Sequence, residues 1–161
     1  MSNVLARNRS LSQLEFYNTA TDLRAELTRF VMNEKNIPKK YRYVFAIPIT
    51  NKLQDLFTHI TSANTYYPSG NTERKIELVE KRMDLQTEAI ADCEVIYQQL
   101  QYVVDTLPIN INKLNNILSL LEKEELLLKG WRKSARRMLT SFLEEQKMEE
   151  QKLEEIQKKG N

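Results

Sequence analysis

Nine positions in the middle of the chain, Ile76, Val79, Met83, Gln86, Ile90, Cys93, Tyr97, Leu100 and Val104, recur at steps of three and four residues without a miss. Only Gln86 among them is polar. A strand alternates every second residue, so a run of this period and length predicts one long amphipathic helix and excludes a sheet for this stretch. The rest of the chain agrees. Three glycines and four prolines in 161 residues are too few for the frequent turns of all-β folds or the glycine-rich ligand approaches of α/β enzymes.

Three more helices follow from the same period. Phe16, Ala20, Leu23, Leu27 and Phe30 lie on one face of a first helix, for which Ser12 and Glu15 have capping-box spacing. It ends around Asn33 to Asn36, with Ile37 and Pro38 as the connection, where a second helix can begin. Ile49, Leu53, Leu56, Phe57, Ile60 and Ala63 make the second stripe, which stops before Tyr67-Pro68-Ser69-Gly70-Asn71. Pro48 predicts either a kink or a helix that properly starts near it. Leu107-Pro108-Ile109-Asn110 closes the third helix. Asn110 or Asn112 can cap a fourth, whose inner face carries Leu114, Ile117, Leu121, Leu128, Trp131, Ala135, Met138 and Phe142.

The expected fold is therefore all-α: an antiparallel up-down-up-down four-helix bundle with a charged helical C-terminal tail. Residues 1–11 are expected to be disordered, 12–142 to form the bundle and 143–161 the tail. Leu118, Leu120, Leu126 and Leu127 lie off the main stripe of the fourth helix. They mark either a subunit interface or a helix more buried than its neighbours.

Twenty-four lysines and arginines against 22 acids give a net charge of +2. The distribution is uneven: from Glu144 onward six glutamates face four lysines, so the tail carries −2 and the body +4. No run approaches the roughly 20 apolar residues that span a bilayer, and no signal-peptide plan is visible, so a soluble, cytoplasmic protein is expected. Cys93 and His59 are the only residues of their kinds. That rules out an internal disulfide and a cysteine- or histidine-cluster metal site, and no cofactor is expected. Neither residue belongs to a nucleophile motif, and no P-loop or dinucleotide fingerprint occurs. No enzymatic activity is expected.

Two basic clusters stand out. Lys129, Arg132, Lys133, Arg136 and Arg137 have spacings that put them on one side of the fourth helix, with no acid among them. Such a row can neutralise nucleic-acid phosphates, arginine forking onto phosphate oxygens. The competing reading is a solvated flank paired with carboxylates such as Glu125. Lys39-Lys40-Tyr41-Arg42-Tyr43 mixes cations with rings that can stack a base, or whose tyrosines can instead pack over a neighbouring helix. Arg74, Lys75, Lys81 and Arg82 alternate with Glu73, Glu77, Glu80 and Asp84, as ordinary intrahelical pairs do.

In the order and spacing of Ile37-Pro38-Lys39-Lys40-Tyr41-Arg42, the run to Ala63, and Leu128-Lys129-Gly130-Trp131 followed by basic residues, the chain resembles a known family. The family is the accessory variability determinant (Avd) proteins of diversity-generating retroelements, within the four-helix-bundle family that includes proteins encoded in ribosomal-RNA intervening sequences. The likeness covers about residues 14 to 137, and the charged tail beyond extends past the family's usual end. It implies a non-catalytic homopentamer that binds a reverse transcriptase and its template RNA and supports mutagenic cDNA synthesis. On that footing Lys39, Lys40, Arg42, Lys129, Arg132, Lys133, Arg136 and Arg137 are the expected nucleic-acid or polymerase contacts, and the surplus leucines serve assembly. A competing class is an oligomeric helical adaptor that binds only proteins.

Overall fold

The computed structural model describes residues 14–159. The segment expected to be disordered, and the Ser12 cap, lie outside them. Among the described residues the chain is all-helical, with four long helices and two short 3-10 turns. α1 (Glu15–Met32) starts directly after Leu14, which offers no side-chain cap. It buries Ala20, Leu23, Leu27 and Phe30 on one face, as their spacing predicts. It stops at Met32, earlier than expected, because Asn33 turns the chain by accepting from the Lys35 backbone N–H (3.0 Å).

The second helix does not begin at Pro38. A single 3-10 turn, Lys39–Tyr41, comes first, and α2 (Ala46–Thr65) starts eight residues later. Pro48 therefore falls in the first turn of α2, where its missing N–H would have had no intrahelical partner, and the helix runs through it. The α2 face buries Ile49, Leu53, Leu56, Ile60 and Ala63. Gly70 takes the left-handed φ of 93° that the following turn needs, and Asn71 caps α3 (Thr72–Thr106) by accepting from the Arg74 N–H at 2.9 Å.

α3 is as long as its pattern predicts, but its buried line is displaced. Val79, Met83, Gln86, Cys93 and Leu100 face inward as expected, while Leu78, Ala89, Ile96 and Val103 are further apolar positions that face inward and Tyr97 is exposed. Arg82, expected in a surface ion pair, is buried, and its Nε has no partner among the described residues. After a 3-10 turn (Ile111–Leu114) capped by Asn110, α4 (Asn115–Lys159) runs unbroken for 45 residues, through Phe142 and the charged tail. At 1.5 Å per residue it is about 65–70 Å long.

α1 packs on α2 and α4, α2 on α3, and α3 on α4. The main core draws on all four helices up to Leu128, whereas a second, smaller one (Val79, Met83 and Ala135, flanked by Met138, Leu139 and Phe142) belongs to α3 and α4 alone. Across that pair Thr87 meets Arg132, Lys75 meets Glu145 and Thr72 meets Glu149. α3 and α4 thus form a two-helix arm that continues past the first residues of α1. No described helix is long and apolar enough to cross a membrane.

Candidate nucleic-acid interface

The α4 stripe is built by the helical period. Lys129, Arg132, Lys133 and Arg136 line one open groove of about 450 Å³ between α3 and α4, with Thr87 and Ile90 on its far side. Arg137 is exposed but does not line it. Arg132 is the best anchored of the four, its Nε donating to the Thr87 hydroxyl at 2.7 Å. Lys129 pairs with Glu125 one turn back (2.5 Å), the hydrogen bond to that carboxylate holding its ammonium above the ordinary lysine range. Lys133 and Arg136 have no carboxylate partner among the described residues. The groove thus combines an apolar floor with a rim of charge that the chain itself leaves largely unneutralised.

The second basic cluster lies elsewhere. Asn36, beside it, accepts from Lys113 at the start of the α4 region (3.2 Å), some 16 residues or more before the stripe, so roughly 25 Å separate the two along the helix. The structure does not bring them into one surface. Lys39 and Arg42 share Glu34 (3.1 and 3.4 Å), and Lys40 lies over the Tyr41 ring at 4.7 Å. Tyr41 packs on the core, as the packing alternative expects, while Tyr43 is 82% exposed. Met32, Lys39, Arg42, Tyr43 and Ile47 border a shallow groove of about 330 Å³ there.

The surplus leucines divide. Leu118 and Leu120 pack against their own core, Leu127 is half-buried, and Leu126 alone stands out at 70% exposure.

Two polar features escaped sequence reasoning. Asp92, buried on α3, is 2.6 Å from His59 Nδ1 and accepts from Lys52 Nζ at 3.2 Å, both on α2. The hydrogen bond from Lys52 to Asp55, and then that to Asp92, keep its ammonium above the usual range. Among the described residues His59 bonds no hydroxyl or thiol, and the cluster pins α2 to α3. The second feature is Glu124, fully buried on α4 between Leu121 and Leu128, both carboxylate oxygens lacking a partner among the described residues. Burial pushes its carboxyl up to about 8. The nearby Cys93 thiol, also buried, is raised by burial as well, so it is held as an unreactive thiol. No group of three potential metal ligands occurs among the described residues.

Comparison with protein-family models, with curated proteins and with solved structures finds no match to this chain in any of the three.

Proposed function

We propose that this chain is a non-catalytic, homo-oligomeric accessory protein that binds nucleic acid through the α3–α4 groove, in the manner expected of a reverse-transcriptase partner in a diversity-generating retroelement. The observation that carries the reading is a groove rimmed by four cations, of which only Lys129 has a carboxylate partner among the described residues. A phosphate backbone supplies the missing negative charge, and two arginines allow forked contacts that lysine alone does not. The link to the retroelement family rests on the sequence likeness. For the architecture we infer an antiparallel up-down-up-down bundle. Its support is that residue numbers rise on α3 as they fall on α4 through the pairs Thr72–Glu149, Lys75–Glu145 and Thr87–Arg132.

Binding of structured template RNA and of duplex DNA at two salt concentrations tests the reading. With three or four phosphates neutralised, affinity falls about tenfold or more between low and moderate salt. Replacing Arg132, Lys133 and Arg136 by alanine lowers affinity by a further tenfold or so while leaving helicity unchanged, since these side chains are not in the core. Undiminished binding by that variant, or no binding at low salt, removes the nucleic-acid role. A protein-only adaptor is then the reading that remains, and the exposed apolar corner of Met32, Tyr43, Val44 and Ile47 favours it.

A further inference from the structure

The α3–α4 groove is short, and acids stand at both of its ends. Its cations run from Lys129 to Arg136 on α4, a stretch of about 10–11 Å along the helix. On α3 the opposite wall steps by four, three, four and three, from Glu94 through Ile90, Thr87 and Met83 to Glu80. After Glu125, Glu94 is the next carboxylate whose charge acts on the Lys129 ammonium, and Glu122 lies one turn before Lys129 on the same side of α4. At the other end the cross-helix pairs Lys75–Glu145 and Thr87–Arg132 bracket Glu80, which puts it just past the level of Arg136. Positive charge is therefore confined to one patch and does not form a track along the helix pair.

No aromatic ring lines this groove among the described residues. Trp131, the ring nearest in sequence, is taken up by Phe16, on which it stacks at 4.2 Å, and by the main core. Tyr97 lies two helical turns along α3 from Ile90, beyond Glu94. Proteins that hold single strands combine a basic track with rings on which successive bases stack. This groove has the charge without the track or the rings.

The shape of the charge selects the ligand. A single strand engages all four cations only by lying along α4, which carries its next phosphates onto Glu94 and Glu125 or onto Glu80; crossing the helix, it meets fewer of them. A double helix concentrates its charge, one phosphate per about 1.7 Å of axis with both strands counted. As a stiff cylinder it touches the helix pair over a short patch and curves away before the acids. We infer that the groove holds the sugar–phosphate backbone of a double-stranded segment that crosses α4 between Lys129 and Arg136, contacting phosphates and no base edge. The inference rests on the nucleic-acid reading of this groove and adds the class of ligand: a paired stem, held without regard to its sequence.

The test is a titration of the full chain with a blunt RNA duplex and with one of its strands alone, in a sequence that cannot pair with itself, at low salt. The duplex binds at least about tenfold tighter, and a duplex of shuffled sequence binds within about threefold of the first. A double variant, Glu80→Gln with Glu94→Gln, alters two exposed side chains and opens both ends of the groove. It tightens the single strand several-fold and changes the duplex by less than about twofold, so the gap between the probes narrows. An unpaired strand bound as tightly as the duplex, an affinity that follows base sequence, or a gap that the glutamines leave unchanged overturns the inference, and the nucleic-acid reading survives. Binding of neither probe overturns both.

Discussion

At the scale of single residues, Glu124 is a side chain whose placement costs the fold stability. A carboxylate with both oxygens buried and unpartnered avoids the far larger penalty of a buried charge by staying protonated, which is why its carboxyl sits at about 8 where 4.5 is ordinary. Below pH 4.5 the folded and unfolded chains both hold this proton, and the group does not oppose folding through ionisation. Between 4.5 and 8 the unfolded chain releases it and the folded chain keeps it, so stability falls as pH rises, by roughly 1–1.5 kcal/mol per pH unit from this group. Above 8 the loss is complete. Glu124→Gln, which cannot ionise, should flatten this part of the pH dependence in urea melts recorded from pH 5 to 9. Glu124→Leu should raise stability most at the alkaline end. If both variants keep the wild-type slope, another group carries it. Glu124 was not legible in the sequence because it stands in Glu122-Lys123-Glu124-Glu125, a charge run that reads as solvated. Its spacing of three from Leu121 and four from Leu128 was the signal that it faces inward.

At the scale of elements, what periodicity controls was readable and what depends on contact between helices was not. The α2 stripe and the inner face of α4 agree with the pattern because each rests on repeated steps of three and four along one helix. The His59–Asp92–Lys52 pin joins two helices, and no spacing within either announces it. Of the two starts the sequence allowed for α2, the one near Pro48 is the one the chain takes: proline at 38 is compatible with a helix start, but the chain spends one 3-10 turn first, and the first turn of α2 absorbs the second proline. Of the basic stripe, the four groove cations were placed together correctly, while Arg137 lies outside the groove. Within α4, Gly130 is a weak point in an otherwise strong helix. An added Cβ meets nothing within 4 Å, so Gly130→Ala should stabilise by about 0.5–1 kcal/mol through reduced backbone entropy in the unfolded chain. That is a rise of about 1–4 °C in thermal melting for a chain of this size. Its position next to Lys129, which lines the groove, adds a readout. A variant that melts higher but binds RNA less tightly would show that the bare backbone lets the ligand approach. A variant that melts lower would show that α4 bends at this glycine in solution.

At the scale of the whole molecule, the four helices are unequal in length, and the inequality sets a gradient of stability along α4. Up to Leu128 the helix belongs to a core built from all four helices. From Ala135 to Phe142 it has only α3 against it, with Val79 and Met83 as the buried partners. Past Glu149 no described residue packs on it. Isolated helical turns are marginal in water, because nucleation costs are recovered only through packing or length. Local opening should therefore become easier in that order. Hydrogen exchange read by mass spectrometry at high dilution should show the slowest amides between Ile117 and Leu128, intermediate protection between Ala135 and Phe142 together with Leu78 to Met83 on α3, and rapid exchange from Glu150 onward. The α3 half of the arm is the sensitive check, since those residues lie early in a helix whose later turns belong to the main core. Their protection should follow that of Ala135 to Phe142, because the arm opens as a pair. Equal protection of Leu78 to Met83 and Ile96 to Val103 would mean that α3 opens as one unit, with the small core as firm as the large one.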